Sequence, residues 1–140
     1  MKSAIYIFIG LFLVACQPRE PVKLIYPDKI YQHTEWTEDE IKKDISIRHL
    51  HRSSDSSTYL IRLKGKEFPH FHDYHDLTVA VISGTSVIHL EDHEVSLLPG
   101  DVVHIPKGTF HWAENTDPVA SIVFAVFSPA FDGKDRRKAE

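Results

Sequence analysis

The sequence predicts an all-β fold, a sandwich or barrel of about seven to nine short strands with one short helix ahead of them. Three observations carry that reading. Apolar residues alternate with polar ones over short runs, as in Tyr59, Ile61 and Leu63. Gly, Pro, Ser and Asp recur between the runs, where turns need them. Only one stretch carries a helix start signal.

The elements follow in order. Residues 17–33 contain Pro18, Pro21 and Pro27 and hold no sustained period, so they read as a tether with one short edge strand around Lys23–Tyr26. Thr37 followed by Glu40 is a capping-box pattern; the first turn is acidic, and Lys42 and Lys43 come later, so a helix is expected over about residues 38–44. Strands are then expected around Ile45, Ile47 and His49, and over Thr58–Lys64, Leu77–Ile82, Ser86–Leu90, Glu94–Leu98, Asp101–Ile105 and Val119–Phe127. The turns between them include 53–57, Ser83-Gly84-Thr85, Asp92-His93 and Pro99-Gly100. The C-terminal run GKDRRKAE, residues 133–140, reads as a solvated charged tail.

The N-terminus sets an expected compartment. Lys2 precedes an apolar run, Ala4–Ala15, that is too short to span a bilayer comfortably as a helix. Leu13-Val14-Ala15-Cys16 resembles the lipobox of bacterial lipoproteins, and Cys16 is the only cysteine of the chain. The resemblance implies removal of residues 1–15 and lipidation of Cys16. Gln17 resembles residues that permit sorting to the outer membrane. The expected location is therefore the bacterial cell envelope, on the periplasmic side, with the membrane engaged through Cys16. The expected organisation is a signal peptide (1–15), a lipid-anchored tether (16–33), a barrel (34–130) and a charged C-terminal tail (131–140). Processing leaves 125 residues, enough for one domain with its own core, and moves the net charge from −4 to −5. That balance gives nucleic acid no foothold.

The chemistry concentrates in two stretches. GKEFPHFHDYHD, residues 65–76, holds His70, His72 and His75; two histidines spaced by two on extended backbone present both imidazoles to one side. Neutral imidazole is a good ligand for transition metals. GDVVHIPKGTFHWAEN, residues 100–115, places Pro106, Gly108, His111 and Asn115 at fixed intervals behind Gly100. The first stretch, leading through LTVAVISG to Gly84, resembles the first motif of the cupin superfamily, and the second resembles its second motif at the family's spacing. The resemblance covers roughly residues 58–127, about half of the chain. It implies a double-stranded β-helix (a jelly-roll barrel), with His70, His72 and His111 as metal ligands.

The first motif departs from the family pattern. Cupins usually offer a glutamate seven residues before the turn glycine, and here that position is Leu77. Asp76 is the nearest carboxylate and is favoured as fourth ligand; His75 is the alternative, and a site of three protein ligands is a third. Two histidines with a carboxylate favour iron among Fe, Mn, Ni, Cu and Zn. His104, in the strand before Pro106, is a weak candidate for contact with substrate, though a satisfied core histidine is the commoner outcome. His49 and His51 lie between Arg48 and Arg52, which would repel a cation. The expected function is metal-dependent oxygenase or isomerase chemistry on a small organic molecule, which would be the ligand; the alternative is a non-catalytic binder of metal or small ligands in the envelope. A homodimer is a further expectation. No catalytic base can be named from the sequence.

Overall fold

The computed structural model describes residues 20–139. The expected signal peptide, Cys16 and Gln17 lie outside them. Among the described residues no helix is long and apolar enough to cross a membrane.

A hairpin comes first, β1 (Lys23–Ile25) against β2 (Ile30–Gln32), followed by helix α1 (Glu38–Lys42). Then come β3 (Ile45–Arg52), β4 (Ser57–Leu63), β5 (His70–Phe71), β6 (Asp76–Ser83), β7 (Ser86–Leu90), β8 (Glu94–Leu97), β9 (Val102–Ile105), β10 (His111–Asn115), β11 (Ser121–Ser128) and β12 (Arg137–Lys138). Two five-stranded sheets, ordered β3-β4-β11-β6-β9 and β12-β5-β10-β7-β8, form the jelly roll.

The capping box at Thr37 is formed: its hydroxyl accepts from the Glu40 amide at 3.3 Å, and the Glu40 carboxylate accepts from the Thr37 amide at 2.8 Å. The helix stops at Lys42 because Lys43 turns to extended backbone. The core is one apolar cluster built from Leu77, Val81, Ile88, Leu97, Ile105, Ala125 and Phe127. Leu60 is fully buried, a gain of about 2 kcal/mol for a side chain of its size. Gly84 needs to be glycine. Its φ is +74°, and a Cβ there would stand 2.5 Å from the Ala120 carbonyl oxygen, so β11 could not approach this turn.

Two parts of the chain depart from expectation. His111–Asn115 is a strand that pairs β7 over its whole length, although its sequence alternates poorly. The C-terminal run is not a solvated tail throughout: β12 pairs β5, with Lys138 opposite His70, and Asp135 is buried. Local charge pattern favoured water; the pairing partner, more than sixty residues away, decides otherwise.

Candidate metal centre

Antiparallel pairing of β10 with β5 sets His111 directly opposite His70. Directly opposed side chains on one face of a sheet lie within about 5 Å of each other. His72, two residues beyond His70, returns to the same side. The ring centroids are 4.4 Å apart for His70 and His111, 4.9 Å for His70 and His72, and 5.3 Å for His72 and His111. One ligand atom from each of the three lies within 4.8 Å of the others. All three side chains are buried.

Their tautomers follow from their partners. His70 Nδ1 is 2.8 Å from the Phe68 carbonyl and His111 Nδ1 is 2.9 Å from the Thr109 carbonyl. His72 Nδ1 is bonded to the Asp135 carbonyl. A carbonyl oxygen only accepts, so each Nδ1 carries the proton and each Nε2 keeps its lone pair. His111 Nε2 is buried with no hydrogen-bond partner. Burial foremost, with repulsion from neighbouring cations, holds His70 down at about 3. Burial likewise brings His111 to about 4 and lowers His72. The imidazoles are therefore neutral at physiological pH, the state in which they bind a metal ion. An orphaned buried nitrogen within a convergent neutral set fits a divalent cation.

The second motif positions His111 locally. Gly108 has φ +77°, and the Thr109 amide donates to the Pro106 carbonyl at 3.1 Å to close the turn. The Gly108 amide donates to the His72 carbonyl at 2.6 Å, joining the two motifs.

The first motif is held from the C-terminus. The Asp135 carboxylate accepts from the Asp73 and Tyr74 amides, each at 2.9 Å, and meets His75 Nδ1 at 2.6 Å. Burial pushes the Asp135 carboxyl up, but these bonds outweigh it and leave the group below the ordinary carboxylate range.

Neither expected fourth ligand joins the histidine group. The Asp76 carboxylate instead accepts from the Lys107 amide at 2.9 Å, supporting the turn before His111. His75 is committed to Asp135 and packs on Phe131. His104 is exposed and bonded to the Thr78 hydroxyl at 3.0 Å. Alternation along β9 sends Val103 and Ile105 to the cavity and His104 away from it, so it is neither a core histidine nor a cavity residue.

A cavity of about 100 Å3 opens beside the triad, and a second of about 70 Å3 adjoins it; Ile61, Glu67, Leu77 and His111 line both. Glu67 and Arg136 were not singled out from the sequence. Arg136 Nη2 donates to Glu67 at 2.9 Å, and the Ala113 amide donates to the other carboxylate oxygen at 3.2 Å. Burial raises Glu67 above the ordinary carboxylate range, and Arg136 offsets this only in part. Lys66 forms an isolated backbone β-bridge with Glu114, but no local sequence pattern separates Glu67 from the exposed glutamates.

A jelly roll that gathers three neutral imidazoles in its cavity defines the class, and the comparisons agree: residues 59–127 match the cupin domain family. The chain belongs to the cupin superfamily. It is 38% identical to an uncharacterised protein of Aquifex aeolicus over 98 residues, 70% of this chain and 80% of that one. It is 32% identical over 66 residues to quercetin 2,3-dioxygenase of Bacillus subtilis, a match spanning 44% of this chain and 20% of the dioxygenase. The structure of KdgF from Halomonas sp. superposes with a TM-score of 0.61 at 28% identity, covering 69% of this chain and 95% of KdgF.

Proposed function

We propose that the protein is an exported cupin, anchored through lipidated Cys16, that binds a divalent transition metal through His70, His72 and His111 and acts on a small organic molecule as an oxygenase or isomerase. The observation that carries the metal is the convergence of three neutral imidazoles, with His111 Nε2 buried and unpartnered. The case for iron weakens without Asp76, because three nitrogen donors suit Fe, Ni, Cu and Zn alike. When bound, the ion supplies Lewis-acid polarisation or redox chemistry. The chain's own part is to hold three lone pairs in one place, to exclude water with Phe127, Phe131 and Leu77, and to present Glu67 and Arg136 to whatever occupies the cavity. The likeness to a segment of a dioxygenase supports a catalytic role. A non-catalytic binder is the second reading; it is favoured by Leu77, whose apolar side chain lines the cavity where the family usually offers a carboxylate.

The test is to purify residues 17–140, measure metal content, and follow oxygen uptake and product formation with diols, phenols and keto acids. Metal without turnover across the panel favours the binder. The anchor is checked by mass spectrometry of the mature N-terminus: an unmodified Cys16 there would remove it.

A further inference from the structure

Glu67 and Arg136 form an ion pair in the cavity lining, and imidazole binds a metal as a neutral donor. A divalent ion on the triad would leave this small, largely apolar enclosure with two uncompensated positive charges. Such a charge is costly away from water unless an anion accompanies it. Leu77 lines the cavity with an apolar side chain, and Asp76 is occupied at the Lys107 amide. The buried Asp135 carboxylate is already engaged by His75 and two backbone amides, so the compensating charge is assigned to a ligand.

Arg136 is equipped to receive it. Its guanidinium lies 4.3 Å from the centroid of the Phe68 ring, and one nitrogen is fixed on Glu67. The side chain is held from two directions before any ligand arrives. Its Nε is buried without a hydrogen-bond partner, so the fork has a donor to spare. Arg136 lines the same cavity as His70, His72 and His111. A planar guanidinium matches a carboxylate geometrically better than it matches a neutral hydroxyl. The volume admits only a small molecule.

We propose that the cavity beside the histidine triad is a binding site for a small organic carboxylate, whose acid group is received by Arg136 while Glu67 and Phe68 hold the guanidinium in place. This rests on the metal reading above.

The test uses the full chain in detergent, loaded with Co(II) and followed by the cobalt absorption spectrum and by calorimetry. Pyruvate is compared with hydroxyacetone, and L-lactate with propane-1,2-diol, so that each pair differs by carboxylate against CH2OH. The acids should bind at least about tenfold tighter than their neutral partners. Arg136→Gln should lose that preference while still taking up cobalt, and Arg136→Lys, which keeps the charge and loses the fork, should fall between them. Melting curves on each variant report whether it is folded. Failure of the wild type to take up cobalt or any other divalent ion would count against the metal reading; the acid–alcohol comparison on metal-free protein then still reads Arg136. The proposal is overturned if neither acid binds, if acid and alcohol bind equally, or if Arg136→Gln retains the preference.

Discussion

The two motifs reach the same cavity by different means. His111 stands on a mainly local device: the Pro106-Lys107-Gly108 turn, closed by a local bond and braced by Asp76, with Thr109 orienting the ring. His70 stands on β5, a strand of two residues that cannot hold itself, and His72 follows directly after its end. Residues 135–138 support it: β12 pairs along it, the Asp135 carbonyl orients His72, and the Asp135 carboxylate gathers Asp73, Tyr74 and His75. One limb of the site is local in sequence and the other is assembled across more than sixty residues. A mainly local device fails chiefly when its own residues change; an assembled one fails when a distant residue is lost.

The largest effect should come from breaking the assembled limb. Asp135→Ala leaves two amides and a buried imidazole without their acceptor, which should cost about 3 kcal/mol in urea unfolding and lower metal affinity at least about tenfold. Unchanged values for both would show that the C-terminal run does not support the site.

Acid should act next. Burial first of all holds His70 at about 3 and His111 at about 4, against 6.5 for a free imidazole. Between those values the unfolded chain takes up protons that the folded chain refuses, so stability is complete above pH ~6.5 and falls as pH drops towards ~4. Asp135, held low, adds a loss in the same direction at more acid pH; Glu67, held high, opposes it. Metal-free protein should therefore melt at a lower temperature at pH ~4.5 than at pH ~7.5. The opposite order would mean that the triad is not buried neutral.

Gly108→Ala sharpens the contrast from the local side. Nothing lies within 4 Å of a Cβ at this position, so only the positive φ resists the change. The cost should be about 1 kcal/mol, with the metal retained. A loss as large as that of Asp135→Ala would erase the distinction between the limbs.

What the sequence shows follows the same division. The second motif, the alternating strands and the Thr37 capping box are local patterns, and each formed as expected. The sequence also placed His70, His72 and His111 together, through the two-residue spacing of the first pair and the family resemblance. It misdirected Asp76, because a carboxylate next to a metal motif says nothing of a backbone amide at Lys107 that competes for it. His104 was misread because strand register, not composition, sets which face it takes. Asp135, Arg136 and Glu67 had no local signal: two sit in a charged run and meet the site only through the pairing of β12 with β5.

The smallest effect tests that correction. Asp76→Asn should leave metal affinity unchanged, whereas His75→Gln, which removes a partner of Asp135, should weaken it measurably. Metal titration in which Asp76→Asn is the more damaging would restore Asp76 as a ligand.

The central claim is that His70, His72 and His111 hold a metal which the barrel does not need in order to fold. The direct measurement is metal content, alongside circular dichroism, of wild type and His111→Ala purified side by side. The account predicts one divalent ion per wild-type chain, almost none in the variant, and the same strand signal in both. Full occupancy in His111→Ala, or a wild type that takes up no divalent ion, would contradict it.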